Sequence, residues 1–435
     1  MPSSNLGTVP LGGAESLLKE RFATQLAEAR SRTLRLIAPI SSENLERVHD
    51  RLMSPLVWDL GHIAAFEDLW LCHRTGGQAV LRPELMELYD AFETPRAVRG
   101  EVPLLGVAEV LDYLDAVRER ALAVLDRADL SRGTGVWDLV LQHEHQHDET
   151  MLQCIQLATR RLYSLSPAPY QAVPVDWPAS VRIEAGPFAM GDGGDGFAYD
   201  NERRRHEVEV APFEIDTVPV TNGDYLAFAA DGGYKRRELW TDEGWAWRGG
   251  AQAERPLFWT ADGLERRFDR RDPVEPSLPV MHVSWFEADS YARWAGKRLP
   301  TEPEWEKAAA WGPAAQRPRR FPWGDEPPNS DRANLDQLAF GPLPVGCHPH
   351  GASAYGVLGL VGDAWEWTSS DFGGYPGFRA YPYRQYSEVF FGGGYKVLRG
   401  GSWATRPSVA RNTFRNWDLP QRRQLFAGFR CARDA

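Results

Sequence analysis

No apolar run in the 435 residues approaches the length of a bilayer span. The opening Met1–Gly13 lacks a basic cluster followed by an apolar stretch, so neither a membrane anchor nor a secretory signal is expected and the address reads as cytoplasmic. Cysteine is scarce. Cys72, Cys154, Cys347 and Cys431 lie far apart with no C-x-x-C pair, which excludes a disulfide framework and a structural zinc knuckle and fits a reducing compartment. An excess of basic charge is also missing: 49 Lys and Arg face 60 Asp and Glu, giving a net charge of -11. That balance argues against nucleic acid as partner and leaves small molecules. What is present is 43% hydrophobic and 25% charged residues with a mean hydropathy of -0.44, the composition of a globular protein. The length suggests two or three domains.

The 17 Trp, 40 Gly and 32 Pro are unevenly placed, becoming dense from about Val181 onward. Before that point Ala, Leu, Glu and Arg dominate, with apolar residues at three- and four-residue spacing. The spacing predicts four long helices, Ala14–Pro39, Ser42–Arg74, Val107–Ala128 and Val136–Tyr163, separated by breaks such as Thr75–Gly77 and Ser131–Gly135. Four such helices suggest an antiparallel bundle, a fold that presents metal ligands from facing helices. The Pro-rich stretch Ser164–Pro178 reads as a linker. Beyond it the expected strands are Val181–Ala185, His206–Val210, Phe213–Val218 and Phe426–Ala432, with two helices near Asn222–Ala230 and Trp285–Ala295. The chain is therefore divided into a bundle (1–165), a linker (166–178) and a second domain (179–435), an α+β architecture.

In LQHEHQHDETM, His143 and His147 stand four apart, so a helix puts both imidazoles on one face. A third ligand must come from another helix, and His62 in WDLGHIAAFEDLW, near Trp58 and Trp70, is the candidate. His145 lies about 200° round the helix from His143 and does not share the site. His49 and His73 read as surface or helix-end residues. The same HExxH spacing also suits a zinc protease with Glu144 as base, but the further ligand and the substrate cleft such an enzyme needs are not evident. Three neutral imidazoles with open positions accept Fe(II), Zn(II) or Cu(II), so the spacing alone names no metal.

Taken together, MSPLVWDLGH, QHEHQHDETM, RGGSWAT and FRNWDLPQRRQLFAGFR resemble the ergothioneine-pathway sulfoxide synthases, or hercynine oxygenases, over nearly the whole chain. The first half resembles a DinB-like four-helix bundle. The second resembles the formylglycine-generating-enzyme or C-type-lectin-like fold through PVMHVSWFEADSYARWAGKRLPTEPEWEKAAA, FPWGD, GLVGDAWEWTSSDF and GFRCARD. The resemblance implies a non-haem Fe(II) held by His62, His143 and His147. It also implies that dioxygen is used to join a sulfur donor to C2 of the hercynine imidazole as a sulfoxide. Gln146, Asn416 and Trp417 match residues that bind hercynine, and the indole suits its trimethylammonium. Asp418 and Arg422, with Arg96 and Arg99, match those that grip the charged ends of γ-glutamylcysteine. Tyr383 is taken as the equivalent of the catalytic tyrosine, in a stretch crowded by Tyr375, Tyr381 and Tyr386.

Two positions depart from the family pattern: Phe66 stands where HIxxQ carries glutamine, and His145 stands where HEQQH does. They leave the substrate pair open. Selenoneine synthases, which share the fold and iron site and join hercynine to a selenosugar, are the alternative reading. A formylglycine-generating oxidase is disfavoured because Cys347 and Cys431 are not spaced as a reactive pair. A non-catalytic lectin-like binder would leave three histidines idle. With the metal ligands in the first half and most substrate residues in the second, neither half alone is expected to turn over.

Overall fold

The computed structural model describes residues 11–164, 177–194 and 196–435, and the linker expected at 166–178 lies outside them except for Trp177 and Pro178. The chain divides into two compact units, Met1–Leu162 and Tyr163–Ala435.

The first unit contains α1 (Leu11–Ile37), the short α2 (Ser42–Glu46), α3 (Leu56–Glu67), α4 (Val107–Arg127) and α5 (Gly135–Leu157). α1 packs on α4 and α5, and α3 on α4 and α5. Phe22, Leu26 and Ala29 on α1 and Val110, Leu114, Val117 and Ala121 on α4 are buried, the stripe of an amphipathic helix. α3 has no polar face, since all twelve of its residues are buried.

The single helix expected over Ser42–Arg74 is three elements. The chain leaves α2 at Arg47 and re-enters at Pro55, the residue before α3, with φ -55 and ψ 142. Pro55 supplies no N–H and its ring bars Ser54 from helical geometry, so the sequence period runs through a real break. After Glu67 the helix widens into a π-helical segment, Asp68–Thr75.

The second unit is built from short strands: β1 (Ser180–Ile183), β2 (Gly186–Met190), β3 (His206–Val210), β4 (Phe213–Asp216), β5 (Leu264–Arg267), β6 (Arg270–Pro273), β7 (Trp311–Gly312), β8 (Arg317–Pro318), β9 (Trp365–Asp371), β10 (Lys396–Arg399), β11 (Asn416–Asp418), β12 (Ala427–Gly428) and β13 (Ala432–Asp434). Its main sheet has the order β11-β10-β9-β12, so β11 is an edge strand, and a second sheet runs β1-β4-β13. The expected helices near 222 and 285 are present as α6 (Asn222–Ala230) and α8 (Trp285–Trp294). Two more were not expected, α7 (Asp242–Gly250) and α9 (Glu302–Ala310). Thr301 caps α9 by accepting from the Glu304 amide while Glu304 reaches back, a reciprocal box that TEPE spells out. Ser284 and Glu287 start α8 in the same way. α9 buries Trp305, Ala308 and Ala309 in a core with Phe188, Phe213 and Ile215.

Candidate metal centre and substrate residues

α3 carries His62 and α5 carries His143 and His147, one helical turn apart, and the three imidazoles offer nitrogen atoms within 4.8 Å of one another. His62 Nδ1 lies 2.6 Å from the Tyr89 carbonyl. A carbonyl only accepts, so Nδ1 carries the hydrogen and Nε2 a lone pair. That lone pair faces His143 Nε2 at 3.1 Å. His147 is oriented likewise, with Nδ1 2.9 Å from Asp59 Oδ1, leaving its Nε2 for the interior. The three ring nitrogens converge closely enough to suit bonds of about 2.0–2.1 Å to one ion. Burial, together with the neighbouring His147, holds His62 and His143 well below the ordinary 6.5, so both are neutral donors near neutral pH. The residues therefore fit a metal ion, and the donor set alone does not select which.

Aromatic rings wall the centre. Trp58 stacks on His62 with centroids 4.8 Å apart, and Phe66 lies flat on His143 at 3.7 Å and 9°. Gly61 makes the Tyr89 contact attainable: a Cβ there would meet the Tyr89 ring at 2.2 Å. His145 is buried outside the three-histidine group, with Nδ1 3.9 Å from Asp148 Oδ2.

Glu144 is no general base. One oxygen accepts from Arg30 Nε and Thr33 Oγ1, and the other accepts from Arg118 Nη2, each at 2.9 Å. Glu67 pairs with the same two arginines, at 2.8 Å to Arg30 Nη2 and 2.6 Å to Arg118 Nε. Burial opposes ionisation of Glu144, but the two guanidinium groups override it and hold the carboxyl at about 2. The protease reading of HExxH is thereby removed.

The other expected residues fall in two places. In the first unit Gln146 is half-buried one residue before His147, and Arg96 is exposed. Arg99 is buried instead, with Nε, Nη1 and Nη2 bonded to Thr94 O, Ser54 Oγ and Ala91 O. In the second unit Asn416, Trp417 and Asp418 form β11, with Trp417 opposite Val397 on β10. Trp417 stacks on Phe372 at 4.2 Å, and Tyr386 meets it edge-on at 5.8 Å. Tyr383 in turn packs edge-on to Tyr386 at 6.3 Å. Arg422 Nε is 3.7 Å from Asp418 Oδ1, and Gln424 Nε2 donates to Asp418 Oδ2 at 3.2 Å.

Sequence reasoning missed Asp59, Tyr89 and Asp200. Asp59 stands three residues before His62, a carboxylate one turn from a candidate ligand, which is a usable signal. Asp200 accepts from the Tyr381 amide at 3.2 Å and from Ser387 Oγ, so it ties down both ends of the segment carrying Tyr383. Nothing near Asp200 in the sequence points to a loop some 180 residues away.

The first unit is a helical bundle whose three converging histidines could hold a metal ion, and the second is an α+β unit of short strands. Residues 25–160 match the DinB superfamily, and residues 167–435 match the sulfatase-modifying factor enzyme 1-like domain. The chain is 47% identical over 427 residues to the hercynine oxygenase of Mycolicibacterium thermoresistibile, covering 96% of this chain and 95% of that one. It is also 47% identical over 421 residues to the hercynine oxygenase of Mycobacterium tuberculosis, covering 95% and 99%. The formylglycine-generating enzyme of Streptomyces coelicolor is 34% identical but matches only 59% of this chain, covering 89% of its own. The chain belongs to the hercynine oxygenase family. No described helix is long and apolar enough to cross a membrane.

Proposed function

We propose that the protein is a non-haem Fe(II) enzyme of ergothioneine biosynthesis that uses dioxygen to join γ-glutamylcysteine to C2 of the hercynine imidazole as a sulfoxide. The observation that carries this is the converging His62, His143 and His147 group in a chain 47% identical to a hercynine oxygenase over 96% of its length. Bound Fe(II) supplies the means to use dioxygen: one oxygen atom stays on sulfur, and the other leaves as water with the C2 and thiol hydrogens. Three neutral imidazoles add no charge, so the donor thiolate is the anionic partner of the ion.

In this reading residues 1–165 carry the metal and 179–435 are the substrate domain. Gln146 and Asn416 hydrogen-bond hercynine, and the Trp417 face meets its trimethylammonium. Arg96, Arg99 and Arg422 take the donor carboxylates and Asp418 its ammonium. Tyr383 presents its phenolic O–H to the reacting centre.

The test has two parts. Anaerobic Fe(II) reconstitution followed by metal analysis should give one iron per chain, lost in His62→Ala, His143→Ala and His147→Ala and kept in His145→Ala. An aerobic assay with hercynine and each donor, read by mass spectrometry, should give the sulfoxide from γ-glutamylcysteine. Turnover of a selenosugar alone would overturn the donor assignment, and iron retained by His143→Ala would overturn the ligand set.

A further inference from the structure

Between Pro376 and Lys396, the stretch that carries Tyr383, Ser387 is the single buried residue among those described. Neither short 3-10 turn within it, Arg384–Tyr386 or Glu388–Phe390, buries a residue. Its aromatic rings stay partly exposed, so packing alone holds the stretch loosely and polar bonds must do the rest. They come from one place. The 3-10 turn Asp200–Glu202 buries all three of its residues and directs them at this segment and at the approach to β11.

Asp200 spans the tyrosine. Its Oδ2 accepts from the Tyr381 amide at 3.2 Å, two residues before Tyr383, and its Oδ1 accepts from the Ser387 hydroxyl, four residues after it. Asn201 Nδ2 donates to the same Ser387 oxygen at 3.2 Å. Tyr199, just ahead of the turn, stacks on Tyr386 with centroids 4.2 Å apart and 11° between planes. The turn also reaches the chain that leads into β11: Arg415 Nη1 donates to the Asn201 carbonyl at 2.8 Å, and the Thr413 hydroxyl donates to Glu202 Oε2 at 2.7 Å.

The two carboxylates of the turn differ in their partners. Glu202 is paired with Arg411, whose Nε lies 2.8 Å from Oε2. Among the described residues no arginine or lysine pairs with Asp200, and burial raises its carboxyl above the ordinary 3.8 while the bonds from Ser387 and Tyr381 oppose that rise. A buried carboxylate without a cation costs stability, so the fold alone gives little reason for an aspartate here. Two acceptor oxygens that hold donors on either side of Tyr383 do give one.

We propose that Asp200 and Ser387 are positioning residues for Tyr383: the carboxylate grips the segment on both sides of the tyrosine, and the turn that carries it also holds the chain entering β11, so that Tyr383 is set relative to Asn416 and Trp417. This rests on the reading of Tyr383 as the tyrosine that serves the reaction. Misplacing a reacting group by about 1 Å can cost on the order of 100-fold in rate, so a loosened segment is read in kcat.

The test is a double-mutant cycle on the full iron-loaded chain, assayed with hercynine and γ-glutamylcysteine. Ser387→Ala, which removes only the hydroxyl, should lower kcat at least tenfold, with iron content at the parent value and a smaller change in either KM. Tyr383→Phe should itself be slow, and adding Ser387→Ala to it should change kcat by no more than about twofold, because the hydroxyl being positioned is already gone. A purely structural role would lower both backgrounds by the same factor. Should Ser387→Ala fail to fold, Asp200→Asn takes its place in the cycle, since it keeps the size and one acceptor and loses the second. Parent-like kcat in Ser387→Ala, a loss confined to KM, or equal losses in the two backgrounds would overturn the proposal. Parent-like turnover by Tyr383→Phe would sink the tyrosine reading and the proposal with it, an outcome seen without any change at Asp200 or Ser387.

Discussion

His147 gives its Nδ1 hydrogen to Asp59, 2.9 Å away, across the interface between α5 and α3. The bond turns Nε2 toward His62 and His143 and fixes the ring against a buried carboxylate. Asp59→Asn keeps the shape and removes the charge. Metal affinity is expected to fall about 10–100-fold, measured by competition with a chelator. Unchanged affinity would mean that Asp59 serves the fold alone.

The carboxylate next to His143 has another task. Glu144 closes a buried ring with Arg30, Arg118 and Glu67 that draws α1, α3, α4 and α5 together. Glu144→Gln leaves two guanidinium groups short of a counter-charge, which should cost about 3–5 kcal/mol of stability in urea unfolding. If Glu144 were instead a catalytic base, the variant would melt like the parent and lose only turnover.

Stability of the metal-free protein should depend on pH through His62 and His143. Burial, the first cause, depresses both below 6.5, so the unfolded chain binds protons that the folded chain refuses. Their contribution is complete above pH 6.5 and shrinks as pH falls below it, by at most about 1.4 kcal/mol per pH unit for each histidine. Urea midpoints at pH 8, 7, 6 and 5 should show this fall, and a His62→Asn, His143→Asn double variant should flatten it. An identical slope in the double variant would show that other groups carry the effect.

Asp418, at the end of β11, and Arg422, beyond it, are 3.7 Å apart at their nearest charged atoms and only partly buried, a pairing worth little to the fold. Arg422→Ala should therefore leave the melting temperature within a degree or two but lower kcat/KM for γ-glutamylcysteine at least tenfold, about 1.4 kcal/mol of transition-state binding. A drop in melting temperature with kcat/KM intact would reverse the assignment.

The sequence alone determined relations within single elements. His143 and His147 share a face because the helical period puts them there, and Thr301 with Glu304 marks a helix start because the capping box is local. The change from Ala, Leu and Arg to Trp and Gly near residue 181 marks a change of architecture for a similar reason: composition answers to the packing of each unit. Relations between elements were decided only by the tertiary structure. The carbonyl that fixes the His62 tautomer belongs to Tyr89, 27 residues away, and reaches it because Gly61 leaves room. The contact of the Arg99 guanidinium with the Trp58 ring likewise crosses from a loop to α3. Glu144 is a base by its motif and a structural anion by its neighbours. Spacing along one helix follows from a fixed geometry of 3.6 residues per turn, whereas an approach across a loop depends on how whole faces pack, which no local pattern encodes.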